Sequence, residues 1–186
     1  MKIGICGRSG SGKSTASDYF LKKGYKIINL DLYAKTLDNK YPEILSKIKD
    51  AFGDKYISDG MINRKMLGEL VFGSEKELEK LNKIYFEYLK KDMIKLLDKE
   101  QNIVIEGAVI FEIELEKHLD RTIYVTVDEA ILLERIAKRE KDSIETLKNR
   151  LKLQIKYDAY ISKADYIINT NGTVEELYQK LNTLGL

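Results

Sequence analysis

Nine residues near the start of the chain carry the strongest chemical signal. Gly7-Arg8-Ser9-Gly10-Ser11-Gly12-Lys13-Ser14-Thr15 fits G-x-x-x-x-G-K-[ST], the spacing of a phosphate-binding loop. Glycines let the backbone wrap closely enough for several N–H groups to point at phosphate oxygens. A helix that follows such a loop presents its positive N-terminal end to the same anion. Gly10, Ser11, Gly12, Lys13, Ser14 and Thr15 are therefore the candidate contacts to a nucleoside triphosphate. Lys13 would reach the terminal phosphates and the Ser14 hydroxyl would ligate Mg²⁺. Phosphoryl transfer further needs a group at the acceptor hydroxyl and cations over the transferred group. Asp31 follows the second apolar run directly and either orients or deprotonates an acceptor, or caps the helix that begins beside it. Glu106 ends the third run and either supports the metal shell or serves as a turn carboxylate. Arg135 and Arg139, four apart, share one helix face and either brace the transferring group or lie on an ordinary surface.

The elements that must position these residues follow from short apolar runs at 3–6, 26–30, 103–105, 122–127 and 166–168. Each is rich in β-branched residues and does not alternate, as parallel strands buried on both faces require. Helical patterns fill the gaps at 14–23, 128–138 and 174–184, with Gly24 placed to end the first. Alternation of this kind predicts an α/β fold of the P-loop type: a five-stranded parallel sheet flanked by helices. Two segments break the alternation. Residues 36–99 are far longer than one crossover and read as a helical insertion, where a second substrate would lie. Residues 139–163 read as a charged helical hairpin placed to act as a lid. The chain has a single proline, Pro42, and no flexible linker, so residues 1–186 are expected to form one domain.

Composition excludes several classes without choosing one. Lys+Arg 32 against Asp+Glu 30 gives a formal charge of +2, which argues against a nucleic-acid binder. A hydrophobic fraction of 44% is too high for a disordered chain of 186 residues. One cysteine, Cys6, rules out a disulfide framework or a CxxC metal site; it reads as an inert thiol within a core strand. One histidine, His118, rules out any site built on two imidazoles. No run approaches the roughly 18 apolar residues of a membrane span, and the apolar start is too short for a signal peptide. The expected location is the cytoplasm, with no membrane contact and no obligate protein partner. A GTPase would need D-x-x-G after the third strand, where Glu106-Gly107-Ala108 stands. Ser162-Lys163-Ala164-Asp165 imitates a guanine-reading signature, yet Asp165 starts a strand instead of following one. A small phosphotransferase fits best.

The chain resembles the dephospho-CoA kinase family from end to end. The most specific stretch is Asp59-Gly60-Met61-Ile62-Asn63-Arg64-Lys65-Met66-Leu67-Gly68-Glu69-Leu70-Val71-Phe72, similar to the family's D-G-x-[LI]-[ND]-R-x-x-L-x-x-x-V-F. Asp31-Leu32-Tyr33-Ala34, Leu81-Asn82-Lys83-Ile84, Phe111-Glu112, Arg150 with Gln154, and Ala164-Asp165 through Asn171-Gly172 match further family segments. The resemblance implies ATP on Gly10–Thr15, Asp31 as base for the 3′-hydroxyl of dephospho-CoA, and Arg64 at the acceptor's phosphates. It also implies Arg139 as the lid cation, and Asn169, Asn171 and Gly172 beside the adenine. The acceptor would occupy the helical insertion. Three departures stand out: Asn29 replaces the first Asp of the family's D-x-D, Phe86-Glu87 its H-P, and Ala108-Val109-Ile110 its P-L-L. The expectation is Mg²⁺- and ATP-dependent phosphorylation of dephospho-CoA. A kinase for another small hydroxyl compound, such as a nucleoside, is the alternative, as is a nucleotide-binding regulatory module without turnover.

Overall fold

The computed structural model describes residues 1–139 and 144–186, with side chains at all of them except 139, 144–146 and 150. The chain opens with β1 (Lys2–Cys6), the phosphate-binding loop and α1 (Lys13–Lys22). Next come β2 (Lys26–Asn29), α2 (Leu30–Ala34), α3 (Leu37–Lys40) and α4 (Glu43–Phe52). A short hairpin, β3 (Ile57–Ser58) with β4 (Met61–Ile62), leads to α5 (Arg64–Val71) and the long α6 (Glu75–Lys99). The sheet then resumes with β5 (Ile103–Glu106) and β6 (Arg121–Thr126), followed by α7 (Glu129–Arg139) and α8 (Ile144–Gln154). A 3₁₀ run, Ile155–Lys163, precedes β7 (Tyr166–Asn169) and α9 (Val174–Thr183).

Five strands pair in parallel in the order β2-β5-β1-β6-β7. Side chains of a strand alternate between faces, so a strand covered on both sides must be apolar throughout. Ile3, Ile5, Val104, Ile123 and Val125 point to one face, where Ala16 and Phe20 of α1 and Leu177 and Leu181 of α9 bury them. Cys6, Ile103, Ile105 and Tyr124 point to the other, against Leu30, Ile44, Ile48, Leu89, Met93 and Leu97 of the segment between β2 and β5. The expected α/β architecture of a five-stranded parallel sheet between helical layers is thus the observed one. A small satellite core of Leu132, Ile136, Leu147 and Leu151 joins α7 to α8. Among the described residues no helix is long and apolar enough to cross a membrane.

Two details differ from the all-helical reading of the inserted segments. Residues 36–99 contain the β3–β4 hairpin, paired Ile57 to Ile62 and Ser58 to Met61. Its two central residues, Asp59 and Gly60, have φ of 52° and 72°, the doubly left-handed geometry that Asp-Gly favours in tight hairpins. Within residues 139–163, α8 gives way to the 3₁₀ run after Gln154, so the second limb is helical in two pieces. That run docks on the chain after β5, where the Phe111 and Tyr160 rings stack with centroids 5.4 Å apart.

Candidate active site

The phosphate loop leaves β1 at the carboxyl edge of the sheet, where open α/β folds bind their ligands. Gly10 and Gly12 hold φ of 79° and 96°, so a side chain at either position is strained. Space is short as well. A Cβ on Gly10 would lie 2.6 Å from the side chain of Ile136, and one on Gly12 would lie 3.3 Å from Thr170. Lys13 opens α1 and turns back over the loop, donating from Nζ to the Arg8 carbonyl at 3.0 Å. Ser11 is buried and its carbonyl accepts the Thr170 hydroxyl at 2.7 Å. The loop's crest is tied to the segment after α7. Ser9 N–H donates to Gln154 Oε1 at 2.8 Å, and Arg8 pairs with Asp158 at 3.1 Å.

Beside the loop, Asn29 and Glu106 end neighbouring strands in register. Glu106 is buried, and its carboxylate accepts Ser14 Oγ at 3.0 Å, Ser17 Oγ at 2.7 Å and the Asn29 amide. The residue is therefore more than a turn carboxylate: it sits directly beneath the Ser14 hydroxyl. Asn29 Oδ1 accepts Leu32 N–H at 2.9 Å and so caps α2. The cap reading of Asp31 is thereby corrected: it lies in the first turn of α2 and does not cap it.

Two cavities meet here. One, of about 390 Å³, is lined by Gly10, Gly12 to Thr15, Asn29, Asp31, Arg135, Thr170 and Gly172 to Val174. The other, of about 520 Å³, has a polar end at Lys13, Asp31, Lys35 and Arg64 and an apolar wall that includes Val71, Phe72, Leu81 and Phe86. Both volumes suit small-molecule ligands. Ser9, Lys13 and Asp31 line both. Arg64 donates to the Lys35 carbonyl at 3.0 Å and pairs with Asp38, whose other oxygen accepts the Tyr85 hydroxyl at 2.6 Å. Burial first, then the Asp38 hydrogen bond, pushes the Tyr85 phenol well above its ordinary pKa, so it stays a donor. Asp38 thereby holds Arg64 at the cavity from the α3 side.

Of the turn after β7, Gly172 reaches the first cavity, whereas the Asn169 and Asn171 side chains brace the turn itself. Asn169 Oδ1 accepts Asn171 N–H at 2.9 Å, and Asn171 Oδ1 accepts Asp128 N–H at 2.9 Å. A residue that motif reasoning passed over, Thr170, lies between them. Arg135 grips it twice, donating to its hydroxyl at 3.0 Å and its carbonyl at 2.6 Å. The Arg135 guanidinium thus faces the first cavity and is no ordinary surface arginine. No spacing rule marks Thr170; only the approach of β7 to the loop does. Arg139 ends α7, but its side chain, like that of Arg150, lies outside the described residues. Asp165 is occupied elsewhere, accepting Thr122 N–H at 2.7 Å and its hydroxyl at 2.8 Å, which agrees with its non-guanine reading.

Among the described residues no group of three or more His, Cys, Asp or Glu side chains could hold a metal. The oxygens present, from Ser14, Glu106 and Asp31, are the hard donors that suit Mg²⁺ bound largely through substrate phosphates and water. The arrangement can seat a polyphosphate on the loop, a hydroxyl compound in the second cavity, and a carboxylate where the two meet.

Comparison with known proteins points the same way. A family model described as dephospho-CoA kinase matches residues 1–176. A dephospho-CoA kinase of Clostridium tetani is 33% identical, the match covering 99% of this chain and 87% of that protein. One of Fusobacterium nucleatum is 34% identical over 97% of this chain and 95% of its own. Among solved structures, a dephospho-CoA kinase from Campylobacter jejuni superposes with a TM-score of 0.66 at 26% identity, covering 99% of this chain and 96% of that one.

Proposed function

The chain belongs to the dephospho-CoA kinase family, and on that premise we propose that it moves the terminal phosphoryl group of ATP to the ribose 3′-hydroxyl of dephospho-CoA. The products are coenzyme A and ADP. The observation that carries this reading is the meeting of two ligand-sized cavities at Lys13 and Asp31. Donor and acceptor must lie end to end for in-line transfer, with little covalent work left to the protein.

Each residue then has a task. The N–H groups of Gly10 to Thr15 and the end of α1 receive the ATP phosphates, and Lys13 leaves the Arg8 carbonyl to neutralise the transferring group. Mg²⁺, held by Ser14 above Glu106, would supply further charge neutralisation on the phosphates. Asp31 orients the 3′-hydroxyl and accepts its proton. Arg64, steadied by Asp38, meets the phosphates of the acceptor, whose remaining length lies along the apolar wall at Phe72 and Phe86. Phe86 stands where the resembled family pattern has His, and a phenyl ring there contributes contact area and no hydrogen bond. Gly172 and the turn braced by Asn169 and Asn171 border the adenine of ATP. The insertion, residues 36–99, is the acceptor-binding part and 139–163 the lid, of which 140–143 lie outside the described residues. Arg139 is assigned as the lid cation on family resemblance alone.

An ADP-release assay with purified protein tests the proposal, offering dephospho-CoA, adenosine, uridine and shikimate in parallel. Dephospho-CoA should give the highest kcat/KM by at least about 100-fold. A higher value for any other acceptor would overturn the substrate assignment.

A further inference from the structure

The two ends of the Asn29 amide serve two different carboxylates. Oδ1 takes the Leu32 N–H at 2.9 Å and starts α2, the helix that carries Asp31. Nδ2 donates to Glu106 Oε1, the oxygen that also accepts the Ser14 hydroxyl at 3.0 Å. The partners fix the orientation: a backbone N–H requires the amide oxygen, and a carboxylate requires the NH₂. Asn29 and Glu106 are register partners at the ends of β2 and β5, so neither can drift without shifting a strand. Asn29 also lines the first cavity.

We propose that Asn29 is a positioning residue for phosphoryl transfer, one amide fixing both Glu106 beneath Ser14 and Asp31 at the junction of the cavities. The proposal rests on the kinase reading above and extends it to a residue that acts through Glu106 and Asp31. Among natural side chains of this size only Asn offers an acceptor and a donor at opposite corners. Asp would keep the cap and set two carboxylates against each other. Ser would keep a cap but has a single oxygen for both tasks. The resemblance stretch with Asp at this position therefore describes a differently balanced site, and here a neutral donor meets the Glu106 carboxylate.

Three variants of the full chain separate this role from simple capping. Asn29→Ser and Asn29→Asp both retain a cap acceptor, and their melting temperatures should stay within about 3 °C of the parent. Their kcat should nonetheless fall, about 10-fold for Asn29→Ser and further for Asn29→Asp, with KM for ATP and for dephospho-CoA within about twofold. Glu106→Ala supplies a readout independent of turnover. In ¹⁵N spectra the Asn29 side-chain NH₂ signal, identified by its loss in Asn29→Ser, should be slow to exchange in the parent and fast in Glu106→Ala. Should Glu106→Ala fail to fold, the slow exchange in the parent still tests the bond, because rapid exchange there refutes it. Turnover within twofold of the parent in both Asn29→Ser and Asn29→Asp would reduce Asn29 to a helix cap and overturn the proposal. So would losses of kcat that merely track losses of melting temperature. Absence of kinase activity in the parent protein would instead refute the functional reading, leaving the exchange measurement to judge the bond itself.

Discussion

Asp31 is relieved of a structural task, and its proposed chemical one depends on that. Because Asn29 caps α2, the Asp31 carboxylate is left facing both cavities. A positioned general base contributes on the order of 10²–10⁴ to rate. Asp31→Asn should accordingly lower kcat at least about 100-fold while ATP affinity stays within about twofold, measured by steady-state turnover and by calorimetric titration with nucleotide. Retained turnover would remove Asp31 from the base role. At this scale the phosphate loop was readable directly, since the spacing of Gly10, Gly12 and Lys13 is itself the backbone requirement. The Asn29–Glu106 bond was not readable, because the two residues are 77 positions apart and only strand register joins them. The same holds for the Arg135 grip on Thr170, which depends on where β7 lies.

Among the elements, α6 carries the second lesson. The apolar spacing at 78–88 announces a helix, yet it runs from Glu75 to Lys99, roughly 37 Å at the usual rise. Past Tyr88 it buries Asp92, which breaks the apolar pattern and blurs the signal. That carboxylate accepts Tyr41 at 2.6 Å, Lys40 at 2.7 Å and Tyr33 at 3.1 Å, tying α2, α3 and the residue after α3 onto α6. Burial alone would push its pKa up, but hydrogen bonds from Lys40, Tyr41 and Tyr33 together pull it below the usual carboxylate value. A depressed native pKa means stability that is present above about pH 4, the unfolded value, and lost as the pH falls through the native one. Asp92→Asn should cost about 1–2 kcal/mol in urea unfolding at pH 7, and that difference should shrink at pH 3. An unchanged difference at low pH would detach the cluster from acid stability. The β3–β4 hairpin, in contrast, had a signal in Asp59-Gly60, hidden because the flanking strands are only two residues each.

For the whole molecule, the strands were legible because burial on both faces forces continuous apolar runs, whereas their order was not, since a run does not name its neighbour. Cys6 lies at the end of the central strand and is 1% exposed. Burial, opposed only in part by the nearby Lys13 charge, pushes its thiol up to about 12. Almost no thiolate exists at pH 8, so alkylation by iodoacetamide should proceed only through unfolding and follow the same urea midpoint as circular dichroism. Labelling well below that midpoint would mean that the central strand opens locally. The strand order carries one more consequence. Among the described residues β1 pairs only with β5 and β6, and β2 only with β5, so the first 102 residues contain no sheet partner for either. A nascent chain made at about 5–20 residues per second therefore waits roughly 4–15 s between completing β2 and completing its partner strand. Until then the backbone N–H and C=O groups of β1 and β2 lack the β5 partners that later pair with them. The interval in which strand edges stand open therefore belongs to the growing chain and closes once β5 is made.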